Sequence, residues 1–334
     1  MREEGNADLG GTIGPPTPNA RGSFASLPAG LAWRLLNVYL PLGFLVFWGL
    51  NLLAGFAFES VGVDARIYYR GSAAWLSGST PWAAATSLHG TLFTYAGLPP
   101  TTIALAPFTV LPEDVFVWFV VLSSAAAAVI LIRALRLPLS WVAYPPLAYA
   151  VIAGNPQVML VALVVAGGLV GGALAPVLKV YAFAPLVGER RWRAIALGAA
   201  LFALSVVLAP GLWLSFFAQA GTMTESLRRE SGAGGLSAWG TPLLMAATAV
   251  ALVALARIDL AAAGWLVIPA LWPATQYYAP VMSLPVDPLL ASVMAIPIPG
   301  AVPVATVGYA AIRVYRHVHG ARARAPEAER PSSE

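Results

Sequence analysis

Long apolar runs, broken at intervals by proline, glycine and clustered arginine, occupy most of this chain. Runs at 35–58, 115–132, 139–152, 158–169, 194–214, 242–256, 260–273 and 302–314 read as membrane crossings. Shorter apolar pieces at 100–111, 172–187 and 281–296 are interrupted by Pro or Gly and read as half-helices or re-entrant hairpins. The pattern predicts an all-α, polytopic membrane bundle with about nine to eleven helices of membrane depth. Residues 1–30, rich in Gly, Pro, Ser and Asn, read as a disordered cytoplasmic tail without the n-region, h-region and cleavage site of a secretory signal. The membrane domain is expected over 31–316, and 317–334 reads as a second polar, basic tail.

Arginine sets the orientation. Arg34, Arg133, Arg136, the run 189–193, Arg257 and the arginines of 313–324 all sit at ends of apolar runs, the bias of cytoplasmic loops. Segments 59–99, 154–157, 215–240 and 275–278 then fall on the exoplasmic side. Counting every interrupted piece as a full crossing would send the basic C-terminus outside, so at least one piece should be re-entrant. Arg228 and Arg229 break the rule, lying beside Glu225 and Glu230 in an exoplasmic loop, as a solvated turn or a phosphate contact. No internal repeat is visible, so the inverted-repeat signature of many transporters is missing.

Composition supports the same class. With 59% hydrophobic and 10% charged residues, a chain of 334 residues cannot hide its apolar surface in a water-soluble core, so membrane lipids are its surroundings. The absence of cysteine removes disulfides, thiolate nucleophiles and cysteine-ligated metals; three histidines, two of them in the basic tail, make a histidine metal site improbable. The net charge of +4 arises beside apolar runs, which is topology and not a nucleic-acid surface.

Chemistry-bearing residues gather on the expected exoplasmic side. Asp64 opens DARIYYRGSAAWLSGSTPW directly behind the first run, and a carboxylate followed by two tyrosines and two arginines suits a phosphate-bearing, hydroxyl-rich substrate. Glu59 flanks it as a second carboxylate. Lys179 stands alone in the interrupted segment GGALAPVLKVYAFAPLV, where an ammonium needs a carboxylate, a phosphate or carbonyls; it is a functional group or a structural partner. Asn155 and Gln157 in GNPQ put two amides at a helix mouth started by Pro156, either as cap and turn or as substrate hydrogen-bonding groups. Tyr68, Tyr69, Trp75, Trp82, Phe93, Tyr95, Tyr277 and Tyr278 suit a sugar-stacking surface and equally an interfacial aromatic belt. Phosphate-cradling GxxxxGK[ST], dinucleotide GxGxxG and nucleophile-elbow GxSxG motifs are missing.

Four segments in order carry a resemblance: DARIYYRGSAAWLSGSTPW, FTYAGLPPTTIALAPFTVLP, GNPQVMLVALVVAGGL and LKVYAFAPLVGERRWRA. Together they resemble glycosyltransferase family eighty-seven, the polyprenyl-phosphate-mannose-dependent mannosyltransferases of the C-type superfamily, over about 35–316. The resemblance implies a C-type helical bundle in the plasma membrane with an exoplasmic active site. It places the catalytic aspartate on Asp64, the loop lysine on Lys179 and the polar pair on Asn155 and Gln157. Two positions depart from the family pattern: Ala182 stands where a proline is common after the lysine, and 275–278 lacks the aromatic-histidine pattern near the last exoplasmic turn.

The implied reaction is an inverting transfer of a sugar from a polyprenyl-phosphate donor to an exoplasmic glycolipid or glycan acceptor. Asp64 is the expected base; Lys179, with Arg66 and Arg70 behind it, is expected to bind the donor phosphate. Tyr68, Tyr69, His89, Tyr95, Asn155, Gln157, Tyr181, Tyr277 and Tyr278 are the expected substrate-binding residues, and no metal or cofactor is expected. Arg66 and Arg70, four apart, could alternatively flank lipid headgroups. The competing classes are a transporter or flippase of a lipid-linked substrate and a non-catalytic relative that kept the fold. The one-sided distribution of polar residues favours the enzyme.

Overall fold

Proline and glycine, more than hydropathy, set where the helices begin and end. The computed structural model describes residues 28–53, 61–82, 86–88, 91–230, 236–273 and 276–324. Glu59, His89 and Thr275, the outer parts of both tails, and the side chains of Arg228 and Arg229 lie outside the described residues.

The first helix, α1 (Gly30–Leu53), carries a π-helical stretch at Leu35–Tyr39. An amphipathic helix, α2 (Val63–Leu76), follows, then a two-stranded antiparallel ribbon, β1 (Thr86–Leu88) with β2 (Thr91–Phe93), pairing Ser87 with Leu92. Proline opens α3 (Pro99–Leu105), which runs into a 3-10 turn at Ala106–Val110, and Pro112 precedes the long α4 (Glu113–Ala134). Next come α5 (Pro145–Ala153), α6 (Gln157–Ala166), α7 (Gly168–Leu178), α8 (Phe183–Gly188), α9 (Trp192–Leu208) and α10 (Pro210–Glu230). The chain closes with α11 (Pro242–Ile258), α12 (Leu260–Leu271), α13 (Pro288–Met294) and α14 (Ala301–Arg324). Asp259 caps α12 through Ala262 N–H at 3.0 Å, and Asp287 caps α13 through Leu289 N–H at 2.8 Å.

The architecture is helical, as expected, with the ribbon as its one addition among the described residues. Fewer of the described helices are long and apolar enough to cross a membrane alone than hydropathy suggested. Among the described residues only α1 and α4 are long and apolar enough to cross a membrane alone, or up to four spans exist if each of two bent pairs counts as one. Those pairs are α5 with α6, bent by 115°, and α9 with α10, bent by 101°. A hydropathy run counts apolar residues and not helix length: the runs 139–152 and 158–169, read as two crossings, form only the short α5 and α6 on either side of Gly154 and Pro156, Ala209 and Pro210 split the run 194–214, and α7, α11 and α12 end after 10–17 residues. All three segments expected to be interrupted are so. Helix α14 also continues to Arg324, through the first part of the expected C-terminal tail.

The exposed surface suits lipid. Leu42, Leu45, Val46, Leu50 and Leu52 of α1, Trp118, Phe119 and Leu122 of α4, and Leu243, Val250 and Val253 of α11 all face outward. Only 11% of the most apolar stretch of α1 is buried, so nearly all of it needs an apolar solvent. The main core gathers Leu131, Trp141, Tyr144, Leu160, Leu186, Leu255, Leu266 and Met282, and smaller clusters seat α2 against Phe116 and Val117 on one side and Trp82 and Tyr95 on the other. The basic ends are also tied into the fold: Arg191 donates to the Val164 and Gly168 carbonyls, and Arg313 pairs with Asp259 at 2.8 Å.

Candidate functional site

Two close approaches bring distant chain segments together. Gly62 caps α2 with φ +69°, donates its N–H to the Ile152 carbonyl at 2.8 Å, and has Val117 Cγ1 where a Cβ would lie. Gly154 ends α5 with φ +67°, and a Cβ there would come within 2.8 Å of the Ala65 Cβ. Only glycine adopts this backbone without strain while leaving that space free. The first turn of α2 therefore docks on the α5–α6 break, and Asp64 meets Asn155.

Asn155 Nδ2 donates to Asp64 Oδ2 at 2.6 Å, while Asn155 Oδ1 accepts the Gln157 backbone N–H at 2.9 Å. Both amide residues are buried, and Asp64 is half-buried. Burial raises the Asp64 carboxyl above the usual carboxylate range, and the Asn155 hydrogen bond and the Lys179 charge oppose the rise without cancelling it. The position of Asp64 in the first turn of α2 also sets its charge against the positive end of the helix dipole.

Lys179 enters from the break after α7, where its backbone is extended, and its charge acts on Asp64. Its ammonium lies 4.9 Å from the Tyr278 ring centre and 5.7 Å from that of Tyr181, within cation–π range. Tyr181 O–H donates to Gln157 Oε1, and its ring meets Trp272 edge-on at 5.4 Å. Gln157 Nε2 is buried without a partner among the described residues. Tyr68, one helical turn after Asp64, and Tyr149 complete the surroundings, both within electrostatic range of the carboxylate; Tyr149 stacks on Tyr278 at 6.5 Å.

The structure thus assembles Asp64, Lys179, Tyr68, Asn155, Gln157, Tyr181 and Tyr278 from the expected set. It does not bring in Arg66 and Arg70. Two positions beyond Asp64, Arg66 projects from another side of α2 and bonds Glu113 at 3.0 Å and Asp114 at 2.8 Å; Arg70 bonds Glu113 at 3.0 Å. Tyr69 O–H donates to the Leu111 carbonyl at 2.9 Å, fastening the turn after α3. Tyr95 is 1% exposed and bonds Thr102 at 2.7 Å, so it backs the Tyr68 ring and does not face a substrate. Tyr277 donates to the Ala295 carbonyl at 3.0 Å and stacks on Phe47, one ring away behind Tyr149.

Sequence reasoning passed over Tyr149, hidden inside an apolar run, and Glu113 and Asp114, although acids directly after Pro112 are a readable helix-start signal. Groups of three or more His, Asp or Glu side chains able to hold a metal ion are absent among the described residues. No protein-family model, curated protein or solved structure matches the chain.

Proposed function

We propose that this protein is a membrane glycosyltransferase that moves a sugar, mannose by the family resemblance, from a polyprenyl-phosphate donor to a hydroxyl of a glycolipid or glycan acceptor on the exoplasmic face. One observation carries the reading: a recessed carboxylate shares its site with an ammonium and a buried amide donor that have, among the described residues, no ion-pair partner and no acceptor respectively. A carboxylate beside unspent donors suits a ligand that combines an acidic hydroxyl proton with phosphate oxygens.

In this reading the acceptor oxygen attacks the anomeric carbon, the bond from that carbon to the phosphate oxygen breaks on the opposite face, and the configuration inverts. The hydroxyl proton passes to Asp64, whose raised affinity for a proton suits a base. The lipid phosphate leaves with the bonding electrons, and Lys179 meets its growing charge in a partly dehydrated setting. Tyr68 and Tyr278 offer ring faces and hydroxyls to the sugar, and Tyr181, whose O–H is spent on Gln157, offers a ring face.

A second reading, transport of a lipid-linked substrate, is favoured by the break between α5 and α6 lying at the site itself. Detergent-purified protein given a glycolipid acceptor mixture separates the two. Incorporation from labelled polyprenyl-phosphate mannose and not from labelled GDP-mannose supports the transferase. Incorporation from the nucleotide donor alone overturns the mechanism, and none from either, with movement of the labelled lipid between leaflets of vesicles, favours transport.

A further inference from the structure

We propose that Asn155 is a positioning residue for Asp64, locked in one amide orientation by the backbone so that it occupies Oδ2 and leaves Oδ1 as the proton-accepting oxygen. The inference rests on the reading of Asp64 as the base and adds what directs it.

The lock follows from donor and acceptor bookkeeping. An asparagine amide can usually turn over and exchange its oxygen for its nitrogen. Here Asn155 Oδ1 accepts the Gln157 backbone N–H at 2.9 Å, and an amide NH2 in its place would set donor against donor. The NH2 must therefore face Asp64, at 2.6 Å from Oδ2. Asn155 is 2% exposed, so water cannot replace either bond, and the Asn155 backbone N–H is itself tied to the Ala150 carbonyl at 2.8 Å. The same turn ends in Gln157, whose Oε1 is taken by Tyr181, leaving Nε2 as a buried donor without an acceptor among the described residues. The one turn 154–157 thus holds the amide that faces the base and the amide that keeps an unspent donor.

The groups facing Asp64 are few. Tyr68 comes from α2 itself, Tyr149 from α5, Lys179 and Tyr181 from the break after α7, and Tyr278 from the turn after α12. The charged groups of α4 that pack against α2, Glu113 and Asp114, are engaged by Arg66 and Arg70. Asn155 is the one hydrogen-bond donor to the carboxylate among the described residues. Removing its NH2 should destabilise the ionised form and raise the pH at which Asp64 gives up its proton.

The test is an infrared titration of the purified full-length chain, with the Asp64 carboxyl band identified by its loss in Asp64→Asn. Asn155→Asp keeps an acceptor for the Gln157 N–H and so preserves the turn, but exchanges the donor for a second carboxylate. Its upper titration midpoint should rise by at least about one pH unit, with one proton shared by the pair. Asn155→Ala removes both bonds and should move the midpoint the same way. The acidic limb of the transfer rate should move to higher pH with it, lowering kcat at neutral pH while the donor KM holds. A midpoint within about 0.3 unit of wild type in Asn155→Asp overturns the proposal, whether or not Asn155→Ala folds. Because the infrared band needs no turnover, a wild-type chain that fails to transfer sugar counts against the proposed function and leaves this result standing.

Discussion

Asn155 and Asp64, 91 positions apart in sequence, meet through a 2.6 Å amide-to-carboxylate hydrogen bond at the place where two left-handed glycines let their chain segments touch. The bond joins an amphipathic helix that follows the first span to the break in a bent helix pair. Everything chemical in the site hangs from that junction, so its disruption should be visible both in stability and in activity.

Gly154→Ala places a methyl group 2.8 Å from the Ala65 Cβ at a backbone with φ +67°. Backbone strain and overpacking together should cost about 2–4 kcal/mol, seen as a lower thermal midpoint and loss of transfer. A variant as stable as wild type would mean that α2 does not dock on this turn.

Asp64→Asn should alter stability with a definite sign. Because burial raises the folded-state pKa of Asp64 above its unfolded value of about 3.9, its favourable contribution is complete below the unfolded value and is lost as pH rises through the folded one. The substituted amide cannot ionise, so the variant should gain thermal stability relative to wild type as pH rises from about 4 to 8, and the two should converge at low pH. A gain that grows towards acid would show that the folded site favours the ionised carboxylate.

Arg66→Gln and Arg70→Gln remove parts of the ion-pair cluster with Glu113 and Asp114. Their side chains are 27% and 40% exposed, so each loss should cost about 1 kcal/mol or less, with the donor KM within about twofold of wild type. A tenfold rise in donor KM would return these arginines to a phosphate-binding role.

The residue types that matter were legible where they interrupted an apolar pattern. Asp64, Lys179, Asn155 and Gln157 stand out because polar groups beside long apolar runs need partners, and the structure gathers all four. Their neighbours were harder to read. Tyr149 sits within an apolar run, several members of which join the main core, and nothing in one chain says that its ring will stack on Tyr278. Arg66 and Arg70 share a segment with Asp64, yet helical geometry turns them towards Glu113, a residue whose distance in sequence hid the pairing. The crossing count suffered from the same limit, since hydropathy read 139–152 and 158–169 as two full crossings where the chain folds as two short helices bent by 115° at Gly154 and Pro156.

The most direct measurement of the central claim is donor binding and single-turnover transfer, with labelled polyprenyl-phosphate mannose, by wild type, Asp64→Asn and Lys179→Ala. Asp64→Asn should keep donor Kd within about threefold and lose about a hundredfold to ten-thousandfold in rate, because the amide keeps the shape and not the base. Lys179→Ala should weaken donor Kd by about tenfold or more at an unchanged thermal midpoint, as expected for a lost charge-assisted contact to phosphate. Near-normal transfer by Asp64→Asn, or unchanged donor affinity in Lys179→Ala accompanied by a large fall in thermal midpoint, would contradict the account.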